Sequence, residues 1–136
     1  MDQFYFLLRH WNHYNVIVSQ IAAYHTFFPS LLSRFGLKKH VIILHGTDSM
    51  ILKEIAYGNL DRKVLSSFTS FSINNATYLL PVSQHLIYYK DNYNKSGQAS
   101  FNGLQNNIKN FKTKYRVIHN GLNVDLFKSG KEEVSE

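Results

Sequence analysis

The sequence predicts an α/β fold in which about four parallel strands are flanked by helices. Three observations lead to this prediction. Segments with helical spacing alternate with short apolar runs. The run at residues 41–44, Val-Ile-Ile-Leu, is apolar at every position, and polar or histidine-bearing residues follow each run. A continuously apolar run is typical of a strand covered on both faces, and the alternation favours a parallel sheet.

The first half of the chain has the predicted order helix, strand, helix, strand. In the first helix, Phe4, Leu7 and Leu8 recur at helical spacing and share one face. In the second, Pro29 suits the first turn and Gly36 suits the stop. The predicted segments are residues 2–14, 15–20, 28–36 and 40–46.

The second half continues the alternation. Ser83, a good N-cap residue, opens the last long helix. Pro81 cannot donate a ladder hydrogen bond, so it either ends the third strand at Leu80 or excludes a central position. The polar stretch 94–114 is predicted to be a loop with a short helix at 104–111. The predicted segments are a helix at 60–76, a strand at 77–83, a helix at 83–93 and a strand at 115–119.

Composition limits the class of protein. A chain of 136 residues without cysteine predicts one domain that lacks disulfides, thiolate nucleophiles and cysteine-based zinc sites. The net charge of +6 comes from scattered basic residues. It leaves nucleic acid, anionic lipid, phosphorylated ligands and plain solubility open. The apolar runs fall short of the roughly 20 residues of a membrane span, so a cytoplasmic location is expected.

Polar residues follow every predicted strand, and ligands of open parallel sheets bind outside the carboxyl ends of the strands. The candidate site residues at these positions are His45, Gly46, Asp48, Ser83, Asn120 and Gly121.

Each candidate also has a structural explanation. A backbone carbonyl can satisfy His45, while Asp48 can cap the next helix, as can Ser83. Asn120-Gly121 suits a tight turn. No metal is expected, because His10 and His13 have no carboxylate near them in sequence. A glycine-rich phosphate loop and a nucleophile elbow are both missing.

Three stretches together carry a family resemblance: VIILHGTDSM at 41–50, NNATYLLPVSQHL at 74–86 and YRVIHNGLNVDLF at 115–127. Their order and spacing resemble the N-terminal, acceptor-side domain of retaining glycosyltransferases of family four, which have the GT-B fold. The resemblance covers roughly residues 14 to 127.

The resemblance implies transfer of a sugar from a nucleotide-sugar donor to a glycan or lipid-linked acceptor with retention, in cell-surface polysaccharide synthesis. The nucleotide sugar is a substrate, and neither cofactor nor metal is implied. By position, the resemblance makes His45 the catalytic residue and assigns substrate binding to Gly46, Asp48, Ser83, Asn120 and Gly121.

The chain also departs from the family pattern. The family domain begins with a strand, a glycine-rich loop and two further strands, and a donor-binding domain follows it. We therefore expect residues 1–127 to form a partial Rossmann-like three-layer domain, truncated at both ends, with a charged tail at 128–136. The isolated chain is expected to be inactive. Its expected partners are a donor-binding domain or a second copy, with peripheral contact at the inner face of the membrane.

Two other classes of function remain open. The first is a non-catalytic α/β module for binding or association, since missing strands would leave a sheet edge uncovered. The second is nucleic-acid binding, which we do not expect because the aromatic residues fall mostly at core positions.

Overall fold

The computed structural model describes residues 3–91 and 100–121, so the end of the predicted domain at 122–127 and the tail at 128–136 lie outside it. The helices are α1 (Gln3–Arg9), α2 (Phe27–Arg34), α3 (Lys63–Asn75) and α4 (Leu104–Asn107). The strands are β1 (Val16–Gln20), β2 (Lys39–Leu44), β3 (Tyr78–Pro81), β4 (Tyr89–Asp91) and β5 (Ser100–Asn102).

The prediction of a mixed α/β fold with a parallel sheet is confirmed. The order is β1-β2-β3, and both pairings are parallel. Within the described residues the predicted fourth strand, residues 115–119, is reduced to a parallel bridge between Leu79 and Tyr115. The N–H of Leu79 donates to the carbonyl of Lys114 at 2.9 Å, and the N–H of Arg116 donates to the carbonyl of Leu79 at 3.1 Å. The sheet therefore contains three strands, with residues 114–118 bonded along the free side of β3.

The helix predicted at residues 83–93 is wrong over residues 83–91, and its last two positions lie outside the described residues. A short 3-10 turn at Gln84–Leu86 is followed by β4, which pairs antiparallel with β5. Leu86 and Ile87 are adjacent and both buried. Adjacent apolar residues also occur on the buried face of a helix, so the pattern of this short stretch does not distinguish a helix from a turn that leads into a strand. By contrast, α4 begins where the short helix at 104–111 was predicted.

One face of the parallel sheet forms the core. Burial alternates along β2, where His40, Ile42 and Leu44 are buried on the same face. Leu79 of β3 and Ile73 of α3 join this core, together with apolar residues next to the antiparallel pair of β4 and β5, which we call the hairpin. Helices α2 and α3 pack against each other, and α2 contacts β2. The two helices therefore cover this face.

A buried hydrogen-bonded chain links the sheet to both helices. The hydroxyl of Ser30 in α2 donates to the carbonyl of Ser72 in α3 at 3.0 Å, so it accepts from Nδ1–H of His40 at 2.8 Å. Nε2 of His40 is then the acceptor for the hydroxyl of Ser19 in β1 at 2.9 Å. This pattern requires a neutral imidazole with its proton on Nδ1. Burial, with a smaller effect of His25, lowers the pKa of His40 to about 4.

The opposite face of the sheet is only partly covered. Val16 and Val18 of β1 are 47% and 60% exposed, and Val41 and Ile43 of β2 are half-buried. Among the described residues β1 pairs only with β2, so its other edge is open. The apolar run at 41–44 predicted that other elements cover both faces of β2. In the structure, α2 and α3 cover one face, and the other face stays partly exposed to solvent. We call the face of Val16, Val18, Val41 and Ile43 the open face.

Candidate functional site

The carboxyl ends of the three parallel strands lie along one edge of the sheet, which we call the carboxyl edge. Leu44 pairs with Pro81, and Leu79 pairs with Tyr115. Extended by two residues, the first register brings Gly46 level with Ser83, and extended by four residues, the second brings Ser83 level with His119. The loops that hold the predicted site residues therefore follow strands that end at the same edge.

His45 and Gly46 begin the loop after β2. His45 is exposed, while Gly46 is buried with φ of +134°, a conformation that favours glycine. A Cβ on Gly46 would lie 3.1 Å from the hydroxyl oxygen of Tyr57. That hydroxyl in turn accepts a hydrogen bond from the side chain of Thr47 at 3.1 Å. Glycine at this position thus allows a tyrosine hydroxyl to approach the main chain beside His45.

Asp48 is fully buried rather than exposed at the carboxyl edge. One carboxylate oxygen accepts from the N–H of Ala22 at 3.0 Å, and the other accepts from the N–H of Gly46 at 3.1 Å. Burial raises the pKa of Asp48, although these main-chain donors favour the charged form. The side chain thereby ties the loop after β1 to the loop after β2, which is a positioning role.

The main chain of Ala22 is held from three directions. Besides the bond to Asp48, its carbonyl accepts from Nδ2 of Asn59 at 2.9 Å and from the hydroxyl of Thr69 at 3.3 Å. The N–H of Asn59 also donates to the carbonyl of Thr47 at 2.6 Å. No sequence motif marked Tyr57 or Asn59, because both lie in irregular structure and their contacts come from distant residues.

Ile21, the first residue after β1, has φ of +60°. A β-branched residue rarely adopts this left-handed conformation, and the strain is of the order of 1–3 kcal/mol. Its N–H donates to the carbonyl of Ile43 at 2.9 Å, and the bonds to Ala22 hold the next residue. The carboxyl edge therefore contains a strained turn that the buried polar network keeps in place.

Ser83 is half-buried, and its hydroxyl accepts from the N–H of His85 at 3.3 Å. This is the predicted capping contact. It caps only the three-residue turn at Gln84–Leu86, because the long helix expected here is not formed. The structure therefore gives Ser83 no α-helix N-terminus for an anion.

Asn120 and Gly121 are exposed and follow the segment bonded to β3. The N–H of Ile118 donates to the carbonyl of Pro81 at 2.9 Å, which extends the backbone contact almost to the carboxyl edge. A Cβ on Gly121 would have no atom within 4 Å. Asn120 and Gly121 thus follow a segment that reaches the carboxyl edge, but neither is assigned to a turn, and the predicted continuation at 122–127 lies outside the described residues.

An exposed histidine follows each of the three parallel strands and the segment 114–118 that is bonded to β3. These histidines are His25, His45, His85 and His119. Nε2 of His25 donates to the carbonyl of Gln20 at 3.1 Å. Within residues 3–91 and 100–121, no three histidine or acidic side chains form a group suited to a metal ion. The exposed imidazoles and the Tyr57 hydroxyl can form hydrogen bonds with a polar ligand at an edge where buried hydrogen bonds join the loops after β1 and β2.

Comparison with protein-family models, with curated proteins and with solved structures found no match to this chain. None of the helices that the structure describes has the length and apolar character needed to cross a membrane.

Proposed function

We propose that this chain is the acceptor-side part of a retaining glycosyltransferase, with its carboxyl edge forming one wall of the active site. The observation that carries the proposal is the shared edge at which the strands leading to the His45 loop, to Ser83 and to Asn120 end. These positions belong to the three motifs that resemble family-four enzymes. Under this proposal residues 114–118 act as the fourth strand of a partial Rossmann-like domain.

The chemistry needs hydrogen bonds to a sugar that becomes oxocarbenium-like and to a departing diphosphate. The exposed imidazole of His45 suits contact with the donor sugar. Asp48 does not need to touch substrate, since its carboxylate positions the main chain around Gly46. The buried network around Ala22 supports the proposal because preorganised groups stabilise a transition state without reorganising during the reaction.

A second domain is required for transfer, because the proposed role covers only the acceptor-side wall. We expect the purified chain alone to show no transfer from UDP-glucose or GDP-mannose to lipid-linked acceptors. Addition of a separately expressed donor-binding domain of this enzyme class is expected to produce measurable transfer. Turnover by the isolated chain would overturn this division of labour, and its absence in both assays would overturn the transferase proposal.

In the mixture of this chain with the donor-binding domain, His45→Ala is expected to lower kcat by about tenfold or more, because a hydrogen bond at the reacting sugar is lost. His13→Ala is the matched control, since His13 is an exposed histidine outside the carboxyl edge. Its kcat should match that of the unchanged chain. Equal rates for both variants would remove His45 from the catalytic role.

A second candidate function is association without catalysis, and the open face favours it. Strand β1 contains no charged residue, and the edge that does not pair with β2 lies beside the exposed side chains of Val16 and Val18. Natural proteins commonly protect such edges with charge, proline or a covering segment. Pairing of β1 with another chain would cover both the edge and the valines, so we propose self-association through β1 as the alternative.

Val18→Lys is expected to weaken self-association by about tenfold or more, because a buried lysine in the interface would lose its hydration. Light scattering after gel filtration measures the dissociation constant. Val64→Lys is the matched control, since Val64 is 64% exposed on α3, compared with 60% for Val18. A wild-type chain that stays monomeric at all concentrations would exclude the association function.

A further inference from the structure

A cavity of about 420 Å³ lies between the loop after β2 and strand β5. Its size falls within the roughly 300–1,000 Å³ that small-molecule sites span. It does not include His45, Ser83 or Asn120. The argument below uses the following lining residues: Ile51, Lys53, Glu54, Ser100, Phe101, Asn102 and Asn107.

The two walls of the cavity are joined by the buried side chain of Asn102. Its Oδ1 accepts from the N–H of Ile51 at 3.0 Å, and its Nδ2 donates to the carbonyl of Ile51 at 2.6 Å. Next to it, Gly103 has φ of +92°, and a Cβ there would lie 2.7 Å from the carbonyl oxygen of Ile87. Hydrogen bonds within the protein therefore hold the hairpin and the loop together, which lowers the entropy cost of binding a ligand.

Phe101 lines the cavity beside polar residues. Phe101 is 50% exposed, and its ring centroid lies 5.8 Å from that of Tyr88. Nδ2 of Asn107 donates to the carbonyl of Ser49 and to Oδ1 of Asn102, so Oδ1 of Asn107 is its remaining acceptor. Glu54 adds a second acceptor.

Ser100 and Lys53 also line the cavity, and their side chains carry a hydroxyl and an ammonium group that can donate hydrogen bonds. Neither side chain has a hydrogen-bond or ion-pair partner within residues 3–91 and 100–121. One cation and one anion also leave the lining without a strong net charge, which disfavours a purely anionic or cationic ligand.

We propose that this cavity binds a neutral saccharide. A pyranose ring has an apolar C–H face for the Phe101 ring and hydroxyls around its rim for the donors and acceptors. The proposal deepens the transferase assignment, because the cavity would hold a more distant sugar of the glycan acceptor. It rests on that assignment only for the role of the bound sugar, since binding is measured without turnover.

The test is an amide chemical-shift titration of the full chain with maltose and with N,N′-diacetylchitobiose. At least one probe is expected to shift residues 51–54, 100–102 and 107, with a dissociation constant on the order of 1 mM. No shifts with either probe, or shifts confined to residues 45–47 and 83–85, would overturn the proposal. Binding of glucose 6-phosphate at this cavity about tenfold tighter than either neutral probe would also overturn it.

Phe101→Ala is expected to weaken binding about tenfold. Phe35→Ala, which removes a 67% exposed ring elsewhere, should leave binding unchanged. If Phe101→Ala fails to fold, Glu54→Gln tests the same cavity at an exposed position, and a several-fold loss is expected. Unchanged affinity in both folded cavity variants would contradict the proposal.

The result of the saccharide titration can be distinguished from the result of the transferase assay. Saccharide binding without transfer would retain the cavity and remove the transferase. Sugar transfer without saccharide binding at residues 51–54 would retain the transferase proposal and overturn the cavity proposal.

Discussion

Asp48→Ala is expected to lower the free energy of unfolding by about 3 kcal/mol or more. The substitution leaves the N–H groups of Ala22 and Gly46 without their acceptor, and each unsatisfied buried donor costs roughly 1–3 kcal/mol. The loss is large compared with a total stability of about 5–15 kcal/mol for a typical domain. Chemical denaturation monitored by circular dichroism measures it.

Asp61→Ala is the matched control, because Asp61 is an exposed aspartate. Its stability should change by less than about 0.5 kcal/mol. Asp48→Asn should remain destabilised, because the amide replaces one acceptor with a donor that faces an N–H group. A stability loss at Asp48 no larger than that at Asp61 would show that the carboxylate does not hold the two loops together.

The second large effect is a loss of stability in acid that depends on His40. Its pKa falls from 6.5 to about 4 on folding. Between these values the unfolded chain binds more protons than the folded chain, so stability is present above the higher value and is lost as pH falls. A shift of this size corresponds to roughly 3 kcal/mol, of which about 2 kcal/mol is lost between pH 7 and pH 5.

His40→Gln removes the titrating group and should flatten this part of the pH profile. The variant is also expected to be less stable at pH 7, because glutamine cannot reproduce both bonds to Ser19 and Ser30. The difference between the two profiles isolates His40 from Asp48, whose raised pKa acts in the opposite direction. His13→Gln serves as the exposed control, and a profile equally steep in His40→Gln would contradict the assignment.

Local sequence signals predicted the parts of the fold in which one element carries its own pattern. The apolar run at 41–44 and the spacing within residues 60–76 identified β2 and α3. Gly36 identified the end of α2, where φ is +69°. These elements have strong periodicity or a residue suited to one backbone conformation, so distant contacts were not needed.

The hairpin could not be predicted in the same way. Strands β4 and β5 have three residues each and pair with each other across an intervening stretch. Short strands carry too few positions for alternation to show, and the Ser83 cap favoured a helix instead. The cavity beside the hairpin was missed for the same reason, since Asn102 and Ile51 meet only through tertiary structure.

The candidate site was partly predictable. The rule that parallel strands end at a common edge placed His45, Ser83 and Asn120 in one region from sequence alone. Sequence did not separate exposed His45 from buried Asp48, because burial depends on Ala22, 26 residues away. It also gave no indication of the strained Ile21.

The most direct test of the shared carboxyl edge is paramagnetic relaxation from one nitroxide on His45→Cys, because the chain has no other cysteine. We predict strong broadening of the amide signals of residues 83–85 and 119–120. Broadening at residues 15–16 and 77–78 should be weaker, since Tyr78 pairs with Val41 and Val16 with Lys39, about 13 Å and about 20 Å along the strand from His45 at roughly 3.3 Å per residue. Stronger broadening at residues 15–16 and 77–78 than at 83–85 and 119–120 would contradict the parallel arrangement and the site built on it.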